Sequence, residues 1–533
     1  MMENLPIHNV MASVTDKIKL AEFICGLSSV NPSLKVVATS SSAKNLKENG
    51  LTPILVEDYT GFEECFSGRV KTIHPKIAGG ILLDKTNDIE EAKKLNIEPF
   101  DMVVCNLYDF KGAKDQNLPL EKLVDFIDIG GVSLIRAAAK NFKNIAVLTS
   151  ADDYIKVLNE IKDNGGISLK TRSFLAVKAF KLTAEYETMI ASSFSLAQGE
   201  SPVIYKALHN QKELRYGENP SQKGWIFQFK DEKGIAHSGL LSGKELSYNN
   251  YEDATIALNA ATELKEVLDY IGVAIVKHGS LCGLATAKTV KEAFDFAWDA
   301  DSKSAFGSVI AINESVEEDL CEVIKNKFIE VIIAKNFSNS FVKWAKEYKP
   351  MLRLIVSDFE KQTVLFKKIS GGVLSQTPLS DMSMQDINDL FTRKHGLKKG
   401  VVTKINFPDE LKELTAFSLI ATKYVKSNAI VIGRKVSNGC YQTVGIGSGQ
   451  PNRIDSMELL AIPKAIKMCK NISDCVLASD GFFPFVDSIE SAGKANIKWI
   501  VQPGGAKKDI EVIEKADECQ IGMIFTGQRL FSH

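Results

Sequence analysis

Lys277 and His278 stand side by side where an apolar run ends, and Gly279 follows them in AIVKHGSLCGLATA (274–287). Consecutive side chains of a strand face opposite ways, so the pair can share a pocket only if the chain turns, which Gly279 permits. In one pocket the ammonium disfavours a second positive charge and keeps the imidazole neutral at pH 7, the form that accepts a proton. The pair then reads as a base beside an electrostatic helper. Taken alone, a Lys-His dipeptide at a strand end is more often exposed punctuation.

Its company shifts that reading. LRYGENPSQ (214–222) sets Arg215 before Tyr216 and an Asn-Pro turn, a rigid loop able to offer a guanidinium to a phosphate. SAFGS (304–308) places Phe306 and Gly307 where a flat ring could stack or the chain could simply turn. KSNAIV (426–431) puts the amide of Asn428 at the mouth of another strand, and the sequence closes on TGQRLFSH, where fraying up to His533 is the ordinary expectation. Earlier, Arg69 and Lys71 of GRVKT lie two apart; on a strand they face one side, either to hold an anion or as a solvated edge. In IDIGGVSLIRAAAKN, Asp128 precedes two glycines that open a helix whose exposed N–H groups can bind oxygen anions. Arg136 and Lys140 follow at i, i+4 near its C-terminal end, where they also suit the helix dipole.

These residues need a scaffold. The β-branched runs LKVVATS, DMVVCNLY and NIAVLTS alternate with helical patterns, which predicts an α/β domain with a parallel sheet. After ASV, Thr15 can cap a helix that buries Leu20, Phe23, Ile24 and Leu27 at i, i+3, i+4 and i+7. A long helix is predicted over 171–196, ending at AQGESP; the domains are therefore set at 1–199 and 200–533. Beyond the boundary, VAIVKHGSLCG followed by SAFGSVIAI, and NAIVIGRK followed by DCVLASDGFFPF, are faint echoes that suggest two similar α/β layers.

A chain of 533 residues exceeds one hydrophobic core, and 65 basic against 66 acidic residues exclude a basic nucleic-acid surface. Nine scattered cysteines without a C-x-x-C pair argue against a disulfide framework or zinc site and fit a reducing cytosol. There is neither a signal-peptide pattern nor an apolar run of ~18 residues, so the expectation is a cytoplasmic protein that does not enter membranes. GLLSGKEL misses the P-loop spacing, GIGSGQ lacks the third glycine of a dinucleotide fingerprint, and the zinc deaminase and H-E-x-x-H signatures are absent. Chemistry without a catalytic metal is expected.

In order along the chain, SVTDK, GRVKTIHPK, IDIGG, RAAAKN, LRYGENP, GKELSYNNY, VKSNAIV, FFPF, QPGG, FTGQR and RLFSH resemble the motif series of the bifunctional purine-biosynthesis family joining AICAR transformylase to IMP cyclohydrolase. The resemblance implies that the C-terminal part moves a formyl group from the co-substrate 10-formyltetrahydrofolate to the amine of AICAR. His278 then matches the base, Lys277 a stabiliser of the formyl oxygen or proton donor, Asn428 an orienting amide, and His533 the family's terminal histidine. Arg215 and Arg529 match phosphate-binding arginines, with Tyr216 beside the first; Phe306 and Gly307 match ligand contacts, and Asp487 a carboxylate for the pteridine amino group. For the N-terminal part the resemblance implies ring closure to IMP, with Lys71, Tyr108, Asp128 and Lys140 as the catalytic set. Arg69 and Thr72 match its binding residues, and Ser13, Thr15 and Lys17 its phosphate-binding loop. It further implies a methylglyoxal-synthase-like N-terminal domain, two cytidine-deaminase-like C-terminal subdomains, and a homodimer with transformylase sites at the subunit interface. Whether a structural monovalent cation is bound stays open.

The sequence also departs from the pattern. ATSSSA stands where S-T-G-G-T is usual, adding side chains where backbone approaches a phosphate and disfavouring any positive φ, which leaves a transformylase that merely binds nucleotide at its N-terminal domain as an alternative. Ser40 to Ser42 hydroxyls are substitute donors. Asp109 replaces a proline beside Tyr108, where a carboxylate is expected to raise the phenol pKa. KHGSLCG and QPGGA also differ from the usual K-H-x-N-P-C-G and Q-P-G-G-S but keep Lys277 and His278.

Overall fold

The computed structural model describes residues 4–66, 68–200, 207–229, 232–357, 364–392 and 399–533. The chain divides into two units, Met1–Ala207 and Leu208–His533. Ser201 and Pro202, from the boundary stretch AQGESP, lie outside the described residues. Among the described residues no helix is long and apolar enough to cross a membrane.

The first unit is built on a five-stranded parallel sheet in the order Ile54–Leu55, Lys35–Ala38, Asn9–Ser13, Met102–Cys105, Ala146–Leu148. Strands Met102–Cys105 and Ala146–Leu148 are buried throughout, as β-branched runs covered on both faces must be. Leu20, Phe23, Ile24 and Leu27 form the buried face of helix Leu20–Val30. Thr15 does not cap that helix: its N–H donates to Asn106 Oδ1 at 2.6 Å, and the N-cap is Lys19, left-handed at φ 57 with no side-chain bond. GRVKT is likewise no strand. Cys65 and Val70 make one isolated bridge, and the Arg69 Nε donates to the Phe66 carbonyl at 2.9 Å, so the argument that Arg69 and Lys71 share a strand face fails. The 29-residue helix Leu169–Ala197 covers the predicted long helix.

The second unit contains one twelve-stranded sheet. Edge to edge its strands are Gly400–Val401, Gly522–Phe525, Trp499–Gln502, Val476–Ser479, Ile430–Ser437, Cys440–Gly447, Ser280–Ala287, Ile271–Lys277, Ser308–Ile312, Ile329–Ala334, Arg353–Val356 and Leu240–Ser242. The two echoed segments are halves of this sheet rather than separate layers. Each half opens with a helix, Tyr248–Leu268 or Lys412–Lys423, then a hairpin whose first strand also pairs antiparallel with the strand beyond it. Both second hairpin strands are almost fully buried, so each needs a neighbour on its open side, and they supply one another. Ala285 faces Gln442 across the join; the Thr443 hydroxyl accepts from Leu284 N–H at 3.0 Å, and the Thr286 hydroxyl from Tyr441 N–H at 3.0 Å. Gly283, opposite Ile275, and Gly445, opposite Ile432, occupy matching places: a Cβ at either would collide with an alanine carbonyl, Ala297 or Ala461, of the helical segment that follows.

Candidate functional site

In the second unit Lys277 ends its strand, and His278 and Gly279 make a two-residue turn into Ser280. The reversal is shared: His278 has φ 53 and Gly279 φ 70, the double left-handed geometry that a tight hairpin of this twist demands. His278 is exposed, and Lys277 is half-buried with its Nζ donating to the Gly307 carbonyl at 2.5 Å. Gly307 is left-handed at φ 68, and a Cβ there would lie 3.2 Å from Lys277 Nζ. Phe306 is exposed and its ring tilts onto Phe328 at 5.0 Å.

The other half of the sheet delivers KSN to the same turn. Lys426 Nζ donates to the His278 carbonyl at 3.2 Å, and Asn428 gives its amide hydrogens to the carbonyls of Gln450 and Pro451 at 3.0 and 3.2 Å. The terminal residues do not fray. Leu530 is buried, its N–H donates to the Asp480 carbonyl, and Ser427 N–H donates to the Ser532 carbonyl, both at 2.9 Å. Arg529 lies over the rings of Phe482 and Phe531 at 5.1 and 5.7 Å, and the His533 ring is 5.9 Å from Phe531. Arg215 donates to the Tyr216 hydroxyl at 2.8 Å and stands near Arg353, whose pKa burial lowers and the Arg215 charge lowers further. Asp487 stays apart from these contacts: it is exposed at the start of helix Asp487–Lys494, and its Oδ1 accepts from Ser488 N–H at 2.7 Å.

Two neighbours of the turn escaped the sequence reading. Asp253, on the buried face of helix Tyr248–Leu268, accepts Gly279 N–H at 2.6 Å. Burial holds its carboxyl above the ordinary carboxylate range, against the pull of Gly279 N–H and of His278 and Lys277. The available signal was an aspartate in an alanine-rich, inward-facing position, where an acid needs a partner. The second neighbour is Lys426, read earlier only as part of a motif.

In the first unit the strands' carboxyl ends gather the other group, as open parallel sheets do. Asp128 Oδ1 accepts Gly131 N–H at 2.6 Å at the head of helix Gly130–Lys140. Burial raises the Asp128 carboxyl above its usual range, while Gly131 N–H, Tyr108 N–H and the Lys71 charge oppose the rise. Tyr108 is raised by burial, then by Asp128 and Cys105. Asp109 is not among the causes, which corrects the expectation for it: its carboxylate accepts Gly112 N–H at 2.8 Å and caps helix Phe110–Asp115. Thr72 packs against Gly130, so Lys71, Thr72, Tyr108 and Asp128 meet. Lys140 is exposed. It ends the eleven-residue helix, about 15 Å along the axis from its start at 1.5 Å per residue. Ser13 ends the first strand opposite Cys105, and Lys17 Nζ donates to the Thr15 carbonyl at 2.9 Å. Tyr186, also unread in the sequence, accepts Asp128 N–H and donates to the Phe126 carbonyl, each at 2.7 Å.

Thr39, Ser40, Glu57, Glu64 and Lys71 line a cleft beside this group. Ser40 and Ser41 are the exposed first residues of the nine-residue helix Ser40–Glu48 and have no left-handed backbone, so the serines bring no such strain. Ser42 turns inward and accepts Val14 N–H at 3.0 Å. Among the described residues no group of three or more His, Cys, Asp or Glu is arranged to hold a metal ion.

Residues 138–464 match the family model described as AICARFT/IMPCHase bienzyme, and residues 19–133 match the MGS-like domain. The bifunctional purine biosynthesis protein PurH of Persephonella marina is 39% identical over 98% of this chain and 99% of its own length. PurH of Lactobacillus acidophilus is 39% identical over 98% and 99%. PurH of Bacillus subtilis is 37% identical over 99% of this chain and all of its own. With most of its length inside one family model and such relatives matched almost throughout, the chain belongs to the AICARFT/IMPCHase bienzyme family.

Proposed function

We propose that the residues gathered at one end of the twelve-stranded sheet carry out the formyl transfer of this bifunctional transformylase and cyclohydrolase of purine biosynthesis. The observation that carries the reading is convergence: Lys277, His278, Gly307, Asn428 and the terminal segment, distant in sequence, come together at one end of the interior strands of one sheet. The amine of AICAR is conjugated to its ring and is a weak nucleophile. His278 removes its proton as nitrogen bonds to the formyl carbon of 10-formyltetrahydrofolate. Lys277, steered by the Gly307 carbonyl, stabilises the developing oxyanion and delivers a proton to the folate nitrogen as its bond to the formyl carbon breaks. Arg215, Tyr216 and Arg529 hold the nucleotide phosphate, Phe306 and Gly307 meet a ring, and Asp487 takes the pteridine amino group. Asn428 and His533 orient the reacting groups.

The first unit closes the formylated ribonucleotide to IMP with loss of water. Both reacting groups belong to one molecule, so the protein mainly orients and polarises. Lys71, Tyr108 and Asp128 act on the reacting atoms, and Lys140 belongs to the same set by family pattern. Arg69, Thr72, Ser13, Thr15 and Lys17 bind the ribonucleotide, with the N-terminus of helix Ser40–Glu48 toward its phosphate. Unstrained serines there favour two activities over transfer alone. The alternating helix and strand order of each half of the sheet supports reading the second unit as two cytidine-deaminase-like subdomains. By family pattern the working form is a cytoplasmic homodimer.

His278→Ala is expected to abolish folate-dependent formylation while cyclisation of the purified formylated intermediate continues. Unchanged formylation would overturn the assignment of the base, and absent cyclisation by the parent chain the assignment of the first unit.

A further inference from the structure

We infer that Asp253 and Lys426 clamp the His278–Gly279 peptide from its two sides and thereby position the His278 side chain for formyl transfer. The inference rests on the reading of His278 as the base. The Gly279 N–H and the His278 C=O belong to one peptide group and point in opposite directions. The N–H reaches Asp253 Oδ1 at 2.6 Å and the C=O reaches Lys426 Nζ at 3.2 Å. A carboxylate and an ammonium thus sit at the positive and negative ends of one peptide dipole, in the sense that attracts both.

The alternative that this arrangement opposes is specific. A two-residue hairpin can flip its central peptide and pass from a turn with two left-handed residues to one with a single left-handed residue. The flip would turn the C=O toward Asp253 and the N–H toward Lys426, exchanging two attractive contacts for two repulsive ones. His278 keeps a positive φ in either turn, 53 here, and stands at the first central position, where the flipped turn calls for Gly, so its own backbone preference opposes the flip together with the two contacts. The clamp is anchored at both ends. Asp253 is buried on its helix, Lys426 N–H donates to the Ser280 hydroxyl at 3.3 Å, and a Cβ on Gly279 would lie 2.8 Å from Lys426 Nζ. The two members come from the two halves of the sheet, so the turn registers their alignment.

The test uses the intact chain and the variants Asp253→Ala, Asp253→Asn, Lys426→Met, Lys426→Arg and His278→Ala. For Asp253→Ala and Lys426→Met, kcat for formyl transfer is expected to fall about tenfold or more, with KM for AICAR changed less than about threefold, because misplacing a catalytic group costs rate rather than ground-state binding. Amide exchange at Gly279 is expected to accelerate in both. Cyclisation by the same preparations should stay at the parental rate, and Asp253→Asn and Lys426→Arg, which keep an acceptor and a cation, should recover part of the loss. A kcat within about twofold of the parent in both Asp253→Ala and Lys426→Met would overturn the clamp, as would a loss expressed in KM alone. If His278→Ala transfers formyl normally, the base assignment falls separately, and unchanged Gly279 exchange in the two clamp variants would then overturn the clamp on its own. Should Asp253→Ala fail to fold, Lys426→Met, altered at an exposed side chain, decides the matter.

Discussion

Gly307→Ala puts the geometry around Lys277 to a quantitative test. The residue is left-handed at φ 68, a conformation that costs an L side chain about 1–2 kcal/mol. The new Cβ would also stand 3.0 Å from Phe328 Cε1 and 3.2 Å from Lys277 Nζ, so one of them must withdraw by a few tenths of an ångström. Gly371→Ala is the natural reference: its φ is 75, and nothing lies within 4 Å of a Cβ there. Both variants pay the backbone term, whereas only the first disturbs the ammonium. All four tryptophans, Trp225, Trp298, Trp344 and Trp499, lie in the second unit, so their fluorescence during urea unfolding follows that unit alone. With a slope of about 3 kcal/mol/M, the backbone term lowers the midpoint by about 0.3–0.7 M in either variant. Formyl transfer should fall about tenfold or more in Gly307→Ala and stay near parental in Gly371→Ala, with cyclisation unchanged in both. Parental transfer and an unshifted midpoint for Gly307→Ala would refute the reasoning. Equal loss of transfer in the two variants would refute the part assigned to Lys277.

Other consequences follow from buried polar groups. Asp128 binds its proton more tightly when folded, because burial raises its carboxyl; stability therefore falls as pH rises from the unfolded value through the raised one. Asp128→Asn should lose cyclisation yet raise the melting temperature of the first unit at pH 7, the gain shrinking as pH drops through that window; a gain independent of pH would contradict the cause. Ser42→Ala leaves the buried Val14 N–H without its acceptor and should cost the first unit about 1–3 kcal/mol in calorimetry, with formyl transfer untouched. The Cys469 thiol is held below its ordinary pKa by a hydrogen bond from Cys475, 3.7 Å away, and by Arg434. Arg434→Met should slow haloacetamide labelling of Cys469 at neutral pH, as read by peptide mass, and an unchanged rate would remove the guanidinium from the explanation.

What was legible from composition and periodicity was local. Buried β-branched runs announced the parallel strands, and the spacing of Leu20, Phe23, Ile24 and Leu27 announced a helix face, because both patterns repeat within a few residues. Lys277 and His278 were legible as a pair because a strand end and a glycine adjoin them. Asp253 and Lys426 were not, since the first lies 26 residues from Gly279 and the second 148 from His278, and a polar contact at such range leaves no period. Arg69 and Lys71 misled because alternation was assumed for a segment whose backbone turns back onto Phe66. Asp109 misled because adjacency in sequence was taken for adjacency of charge, while the side chain turned to its own helix. The faint echo between the halves rested on strand residues. Its firmer trace, Gly283 and Gly445, is a demand of helix packing and shows only when strands and helices are in place.

The join between Ser280–Ala287 and Cys440–Gly447 also sets a timetable for biosynthesis. Its cross-links, Thr286 hydroxyl to Gly439 carbonyl and Leu284 N–H to Thr443 hydroxyl, span 153 and 159 residues, so the earlier strand leaves the ribosome roughly 10–30 s before its neighbour exists. For that interval the nascent chain exposes the open rim of SLCGLATA, able to recruit the same stretch of a neighbouring nascent chain. Crowded polysomes and fast overexpression should therefore favour inclusion bodies, and slower elongation or a chaperone that shields this rim should favour native yield.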